Sequence, residues 1–94
     1  MTDERTRVRQ AGRTAARVVD GQAIVIVIDR QKLYTLNEIG STIWELSDGR
    51  SLGSIVDEVV ARFEVDRPTA LSDTLGFVDE LTRVGALEAK EEHR

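Results

Sequence analysis

The hydrophobic pattern of this chain changes its period at Asn37, and this change limits the folds that the chain can adopt. Before Asn37, the apolar residues lie in short runs rich in Val and Ile that are separated by turn residues such as Asp20-Gly21, a pattern typical of antiparallel strands and hairpins. After Asn37, they recur every three or four residues, as in helices that bury one face. Because 94 residues allow only one core, we expect a single α+β domain with the sheet first and the helices after it.

The first part predicts a three-stranded antiparallel sheet, with strands over residues 14–19, 22–29 and 32–36. Asp20-Gly21 supplies the two-residue turn between the first two strands. The second strand is apolar on both faces, Ala23, Val25 and Val27 on one side and isoleucines on the other, whereas a sheet with one solvated face alternates apolar and polar residues. We therefore expect the outer face to be covered by the N-terminal arm, a second subunit or a bound partner.

The second part predicts three helices. Asn37 is the expected N-cap of the first and Ser51 that of the second, while Pro68 suits the first turn of a third helix that runs to about Val84. Because a tight turn at Asp48-Gly49 would join the first two helices, the arrangement is expected to resemble a winged helix-turn-helix. The predicted fold class is α+β, a three-stranded antiparallel sheet followed by three helices.

The third helix carries two lines of apolar residues, which makes its apolar surface unusually wide. The line expected to face the core comprises Ala70, Thr74, Phe77, Leu81 and Val84. The second line comprises Leu71, Leu75 and Val78. A helix of this kind can contact the core on one side and a ligand on the other. The alternative is that the second line is also core, and periodicity alone leaves both readings open.

The composition argues against several classes of protein. The chain has no cysteine, and its only histidine, His93, is second from the end, so disulfides, thiolate metal sites and histidine-dependent catalytic triads are not expected. Its apolar runs are far shorter than the ~20 residues needed to span a bilayer, and its polar start does not resemble a signal peptide. We expect a cytoplasmic, non-enzymatic domain without a metal ion or a cofactor.

Charge is unevenly distributed along the chain. Residues 1–18 contain five arginines and two acidic residues, whereas residues 37–94 contain six basic and thirteen acidic residues. We expect residues 1–13 to be a basic, flexible arm, 14–88 the folded domain and 89–94 a charged tail. DNA binding through the helix-turn-helix-like segment is one alternative, but the acidic helices oppose it because DNA affinity depends on neutralising phosphates. A structural dimer or enzyme subunit without a peptide ligand is another.

The segment from Tyr34 to Gly49 resembles the PqqD family, named for pyrroloquinoline quinone synthesis protein D. The resemblance rests on Leu36-Asn37-Glu38-Ile39-Gly40 and on the Asp-Gly pair at 48–49, and it extends over about residues 15–87. Thr74 stands where an aliphatic residue is more usual in that family. The arginine-rich start matches nothing in the family pattern.

This resemblance implies a recognition element of the pathways that make ribosomally synthesised and post-translationally modified peptides (RiPPs). Such a domain binds the leader of a precursor peptide and presents it to a modifying enzyme, such as a radical SAM protein, and the peptide adds as a strand to the sheet edge beside the third helix. A terminal strand with unpaired backbone groups suits that role on physical grounds as well. The expected partners are therefore a precursor peptide and a modifying enzyme, with a homodimer left open and neither a membrane nor nucleic acid expected. Carried onto this sequence, the peptide-binding positions are Leu33, Tyr34, Thr35 and Leu36 on the strand, and Leu71, Leu75, Val78 and Asp79 on the helix.

Overall fold

The computed structural model describes residues 2–91, so Met1 and residues 92–94, with His93 and the end of the predicted tail, lie outside the described residues. The elements, in chain order, are β1 (Arg7–Gln10), β2 (Thr14–Val19), β3 (Gln22–Val27), β4 (Lys32–Thr35), α1 (Glu38–Leu46), β5 (Asp48–Ser51), α2 (Leu52–Arg62), α3 (Arg67–Arg83) and β6 (Leu87–Lys90). The predicted sequence of a three-stranded antiparallel sheet followed by three helices is confirmed by β2–β4 and α1–α3.

The sheet formed by β2, β3 and β4 is antiparallel, with β3 in the centre. Asp20 and Gly21 both have positive φ, 53° and 78°, as a two-residue turn of type I′ requires. The second strand is shorter than predicted, because Ile28–Arg30 forms a 3-10 turn that ends with Gln31 in the left-handed region. The third strand begins at residue 32 as predicted and ends one residue early, at Thr35. That turn reverses the chain between β3 and β4.

A second three-stranded sheet, in addition to the predicted one, has β1 between β5 and β6. The segment expected to be a flexible arm thus contains a central strand, stabilised by ladders on both sides and by the fully buried side chain of Val8. The strand β6 likewise includes Ala89 and Lys90, which had been assigned to the tail. Because β5 occupies 48–51, α1 and α2 are not joined by the expected tight turn.

The three helices begin where the sequence predicts. Asn37 Oδ1 accepts a hydrogen bond from the Gly40 N–H at 2.7 Å, and Ser51 Oγ accepts one from the Ser54 N–H at 3.2 Å. Asp66 caps α3 in the same way through the Thr69 N–H. These caps satisfy backbone donors that have no partner within their own helix.

The core lies between the helices and the inner face of the β2–β4 sheet, where Val25 and Trp44 are buried. On the outer face of the same sheet, Ile26 is 41% exposed and Leu33 is 59% exposed. The N-terminal arm does not cover them, since β1 pairs in the other sheet. Among residues 2–91, no helix combines the length and the apolar character needed to cross a bilayer.

Candidate functional site

The strand β4 is an edge of its sheet, and among residues 2–91 no strand pairs with its outer side. The Leu36 N–H donates to the Ala23 carbonyl of the neighbouring chain segment at 2.8 Å. Since backbone direction alternates along an antiparallel strand, Tyr34 also faces β3, whereas the N–H and C=O groups of Leu33 and Thr35 point away from the sheet. These two residues offer donors and acceptors to an additional strand.

A groove runs between this edge and α3, with a volume of about 370 Å³; we call it the edge groove. It is lined by Leu33, Tyr34, Thr35, Leu36, Asn37, Phe77, Glu80 and Leu81. Beyond Asn37 it adjoins a second depression of about 380 Å³ between α1 and α3, which shares Phe77 and Glu80 and adds Ile39, Asp73 and Gly76 to the lining. The two depressions form a continuous surface along one face of α3.

The Ser41 hydroxyl fixes the end of β4 against the start of α1. Its Oγ accepts a hydrogen bond from the Ala23 N–H at 2.6 Å and donates one to the Leu36 carbonyl at 3.3 Å. The hydroxyl therefore takes the place of one rung of the ladder between β3 and the residue after β4. Because Ser41 is buried, this bridge holds one end of the edge groove in a defined geometry.

Gly40 allows the Phe77 ring to approach the first turn of α1. A Cβ atom at Gly40 would lie 2.9 Å from Cε1 of Phe77 and 3.1 Å from Oδ1 of Asn37. The absence of a side chain is needed here for close packing, since Gly40 has no positive φ. Phe77 is only partly buried, so part of its ring faces the groove.

The strand residues chosen from the sequence line the edge groove, and the helix residues do not. All four of Leu33–Leu36 belong to its lining. Val78 is fully buried in the core, so its side chain is not on the groove surface, and its predicted contact with a peptide stays a prediction. Leu71 and Leu75 are partly buried against the core.

Asp79 lies on the surface and pairs with Arg83 at 3.2 Å. Together with Leu75 it lines a separate shallow depression near Thr2. The helix side of the groove is formed instead by Phe77, Glu80 and Leu81.

The helical period explains this difference. Val78 continues the core line of Ala70 and Thr74 at a spacing of four residues, so it points inward. The adjoining face at 73, 77 and 80 follows the spacing i, i+4, i+7 and points towards β4 and α1. The signal that could have identified this face is the combination, at that spacing, of one aromatic residue with two carboxylates.

The groove carboxylates differ from the other acidic groups of α2 and α3. Glu80 lines the edge groove and Asp73 lines the adjoining depression, and neither forms an ion pair within residues 2–91. Their neighbours are paired with arginines: Asp57 with Arg67, Glu58 with Arg62, and Asp79 with Arg83. This face of α3 therefore presents negative charge that no residue between 2 and 91 neutralises.

Two carboxyl groups with a lowered pKa lie on other surfaces of the molecule. Hydrogen bonds from the Thr69 hydroxyl and amide hold the pKa of Asp66 below its ordinary value of 3.8. The Arg50 guanidinium donates to Asp48 and lowers the pKa of that carboxyl in the same way. Both effects stabilise the ionised form and belong to a helix cap and to β5, not to the edge groove.

One family model and two solved structures match this chain. The family model described as "Coenzyme PQQ synthesis protein D (PqqD)" matches residues 22–87. A solved structure described as "TbiB1 in Complex with the TbiA(beta) Leader Peptide" is similar with a TM-score of 0.79 and 27% identity, over 85% of this chain and 94% of that one. A second, "Lasso peptide synthetase B1 complexed with the leader peptide", has the same fold with a TM-score of 0.76 and 20% identity, over 87% and 98%. No curated protein matches this chain.

Proposed function

This chain belongs to the PqqD family, and we propose that it binds the leader of a ribosomally made precursor peptide and presents it to a modifying enzyme. The observation that carries the proposal is the unpaired edge of β4 facing α3. An extended peptide can add to such an edge as a further strand. The similar protein TbiB1, solved with a leader peptide, supports a peptide as the ligand of this fold.

The proposed binding mode assigns different tasks to alternate residues of the peptide. Its backbone bonds to the N–H and C=O groups of Leu33 and Thr35. Side chains alternate between the two faces of a sheet, so the peptide residue opposite Tyr34 faces α3 and meets Phe77 and Leu81. Residues opposite Leu33 and Thr35 lie on the outer face beside the exposed Leu33 side chain. Backbone bonds then supply affinity, and the two faces supply selectivity.

We infer that this chain contributes binding and that its partner performs the chemistry. The groove is lined by apolar side chains, a tyrosine, a threonine, an asparagine and one carboxylate. Covalent catalysis needs a nucleophile held beside a base, and this lining supplies contact surface instead. The proposed location is the cytoplasm, where ribosomes make the precursor and where the modifying enzyme meets it.

The test is a titration of the full chain with the synthetic leader of the precursor peptide encoded beside its gene. We expect saturable 1:1 binding by calorimetry. Amide NMR shifts should be concentrated at residues 32–36 and at Phe77 and Glu80. Shifts confined to β1 or β2, or no saturation with any leader, would overturn the proposal.

Two alanine variants decide which face of α3 is used. Phe77→Ala removes a ring that lines the groove and should weaken leader binding by at least about tenfold, as expected for loss of a buried aromatic contact. Leu75→Ala is the matched control, since Leu75 is on the same helix but lines the depression near Thr2. Its affinity should stay within about twofold of the unmodified chain. The reverse order of effects would restore the helix face chosen from sequence alone.

A further inference from the structure

We infer that the leader segment recognised by this groove carries a basic side chain, Lys or Arg, directed at α3. This inference rests on the proposed function and specifies the chemical class of its ligand. The edge groove and the adjoining depression contain two carboxylates, Glu80 and Asp73, and neither contains a lysine or an arginine in its lining. A peptide strand lying there passes along an anionic wall.

The two carboxylates are available to pair with a ligand, because no residue between 2 and 91 neutralises them. Arg83 lies three residues after Glu80, close enough on a helix to pair with it. Its guanidinium instead contacts Asp79 at 3.2 Å. The other acidic residues of α2 and α3 are paired with arginines, whereas Glu80 and Asp73 project from the groove face without one. A cationic side chain of the ligand would supply the missing counterion.

The positions of the charged groups indicate where along β4 the basic side chain of the bound peptide would lie. Glu80 lines the groove together with Tyr34 and Asn37, and Asp73 lies farther on, beside α1. At the opposite end of β4 lies Lys32, which is exposed and outside the groove lining.

The Arg30 side chain lies beside Gly85, just after the end of α3. A Cβ atom at Gly85 would lie 3.1 Å from its Nε. The negative end of the helix dipole favours a cation at this place, and Arg30 lines neither the edge groove nor the adjoining depression.

These constraints yield a pattern for the ligand. A peptide residue opposite Tyr34, or two residues farther towards Asn37, directs its side chain to α3. One of these two positions carries Lys or Arg, and the other carries an apolar side chain that packs on Phe77. A basic side chain is disfavoured at the end of the strand near Lys32.

The test uses a random 12-residue phage-displayed library selected on the full chain and on two charge-reversal variants. Glu80→Lys changes the groove wall, and Glu45→Lys is the matched control because Glu45 is exposed on α1 and lines neither depression. The unmodified chain and Glu45→Lys should enrich peptides with Lys or Arg at one fixed position. Glu80→Lys should enrich Asp or Glu there. Both substituted side chains are exposed, so all three proteins should remain folded.

Affinities of the selected peptides give a second readout. Glu80→Gln should weaken an enriched basic peptide by about two- to fivefold, the range for a partly exposed ion pair, and the difference should shrink at high salt. Enriched peptides that contact β4 but carry no preferred basic residue would overturn this inference and leave the proposed function standing. No enrichment on any of the three proteins would overturn the proposed function together with it.

Discussion

Replacing Thr35 by proline removes one backbone donor from the free edge of β4 and leaves the ladder to β3 in place. The Thr35 N–H points away from β3, as the bond from Leu36 to Ala23 establishes. Proline is tolerated in edge strands at positions whose N–H faces solvent. The Thr35→Pro variant should therefore fold and lose only the donor that an added strand would use.

The expected loss follows from the bond removed. A peptide carbonyl that faces position 35 would lose its donor in a partly desolvated groove, which costs about 1–3 kcal/mol. This corresponds to roughly a 5- to 150-fold weaker dissociation constant. Calorimetric titration with the leader peptide measures it. The matched control is Ala16→Pro, which removes an outward N–H from β2, the other edge of the same sheet.

Comparing the affinities of the two proline variants for the leader shows which edge of the sheet the peptide uses. Equal affinities for Thr35→Pro and the unmodified chain, with both folded by circular dichroism, would refute strand addition at β4. A loss in Ala16→Pro with no loss in Thr35→Pro would place the peptide at β2 instead. A second test changes the peptide and leaves the protein unmodified. A leader that is N-methylated at the residue facing Thr35 should bind the unmodified chain about as weakly as the unmethylated leader binds the Thr35→Pro variant.

Three further predictions concern the residues that support the site. Thr74→Val should raise the free energy of unfolding by about 1–2 kcal/mol in a denaturant titration, because the buried Thr74 hydroxyl has no hydrogen-bond partner within residues 2–91; a destabilised variant would show that the hydroxyl is satisfied. Gly40→Ala should displace the Phe77 ring, 2.9 Å from the added Cβ, and weaken leader binding more than it lowers the melting temperature; unchanged affinity would mean that the ring does not contact the peptide. Hydrogen bonds from Thr69 lower the pKa of folded Asp66 below 3.8. The contribution of the ionised Asp66 to the free energy of unfolding is therefore present above the unfolded-state pKa and is lost as pH falls through the lower folded-state value. The Asp66→Asn variant should lose less stability on acidification, and an unchanged acid transition would contradict this.

The turn between β2 and β3 and the starts of the helices were predictable because they depend on local chemistry. Asp20-Gly21 specifies its turn through backbone conformation, and Asn37 and Ser51 specify helix starts through side-chain caps. Such signals lie within a few residues of the structure that they determine. The free edge of β4 could be predicted for the same reason, since a short strand before a helix start has only one neighbour in a meander.

The second sheet was not predictable, because its pairing is entirely non-local. The strand β1 has the sequence Arg-Val-Arg-Gln, which in isolation is too polar and too short to indicate a strand. It is stabilised by ladders to β5 and β6, and β6 begins nearly eighty residues away. No sequence pattern within the arm records these contacts.

The helix residues chosen from the sequence do not line the edge groove. Successive residues of a helix are rotated by only about 100°, so two adjacent apolar lines on α3 are hard to assign to different faces. The sequence predicts that Leu71, Leu75 and Val78 form a second apolar surface that contacts a ligand, whereas Val78 is buried in the core. The face that lines the groove mixes Phe77 with carboxylates, so hydrophobic periodicity alone could not identify it. Which face of a helix meets a distant strand is decided by tertiary packing.

Amide hydrogen exchange along the two edges of the β2–β4 sheet tests strand addition most directly. In the free chain, the outward N–H groups of Leu33 and Thr35 on β4, and of Ala16 and Val18 on β2, should all exchange rapidly. With the leader peptide at saturation, exchange at Leu33 and Thr35 should slow by at least about tenfold, while Ala16 and Val18 keep their rates. Unchanged exchange at Leu33 and Thr35, or protection at Ala16 and Val18 in their place, would contradict a peptide strand bound along β4.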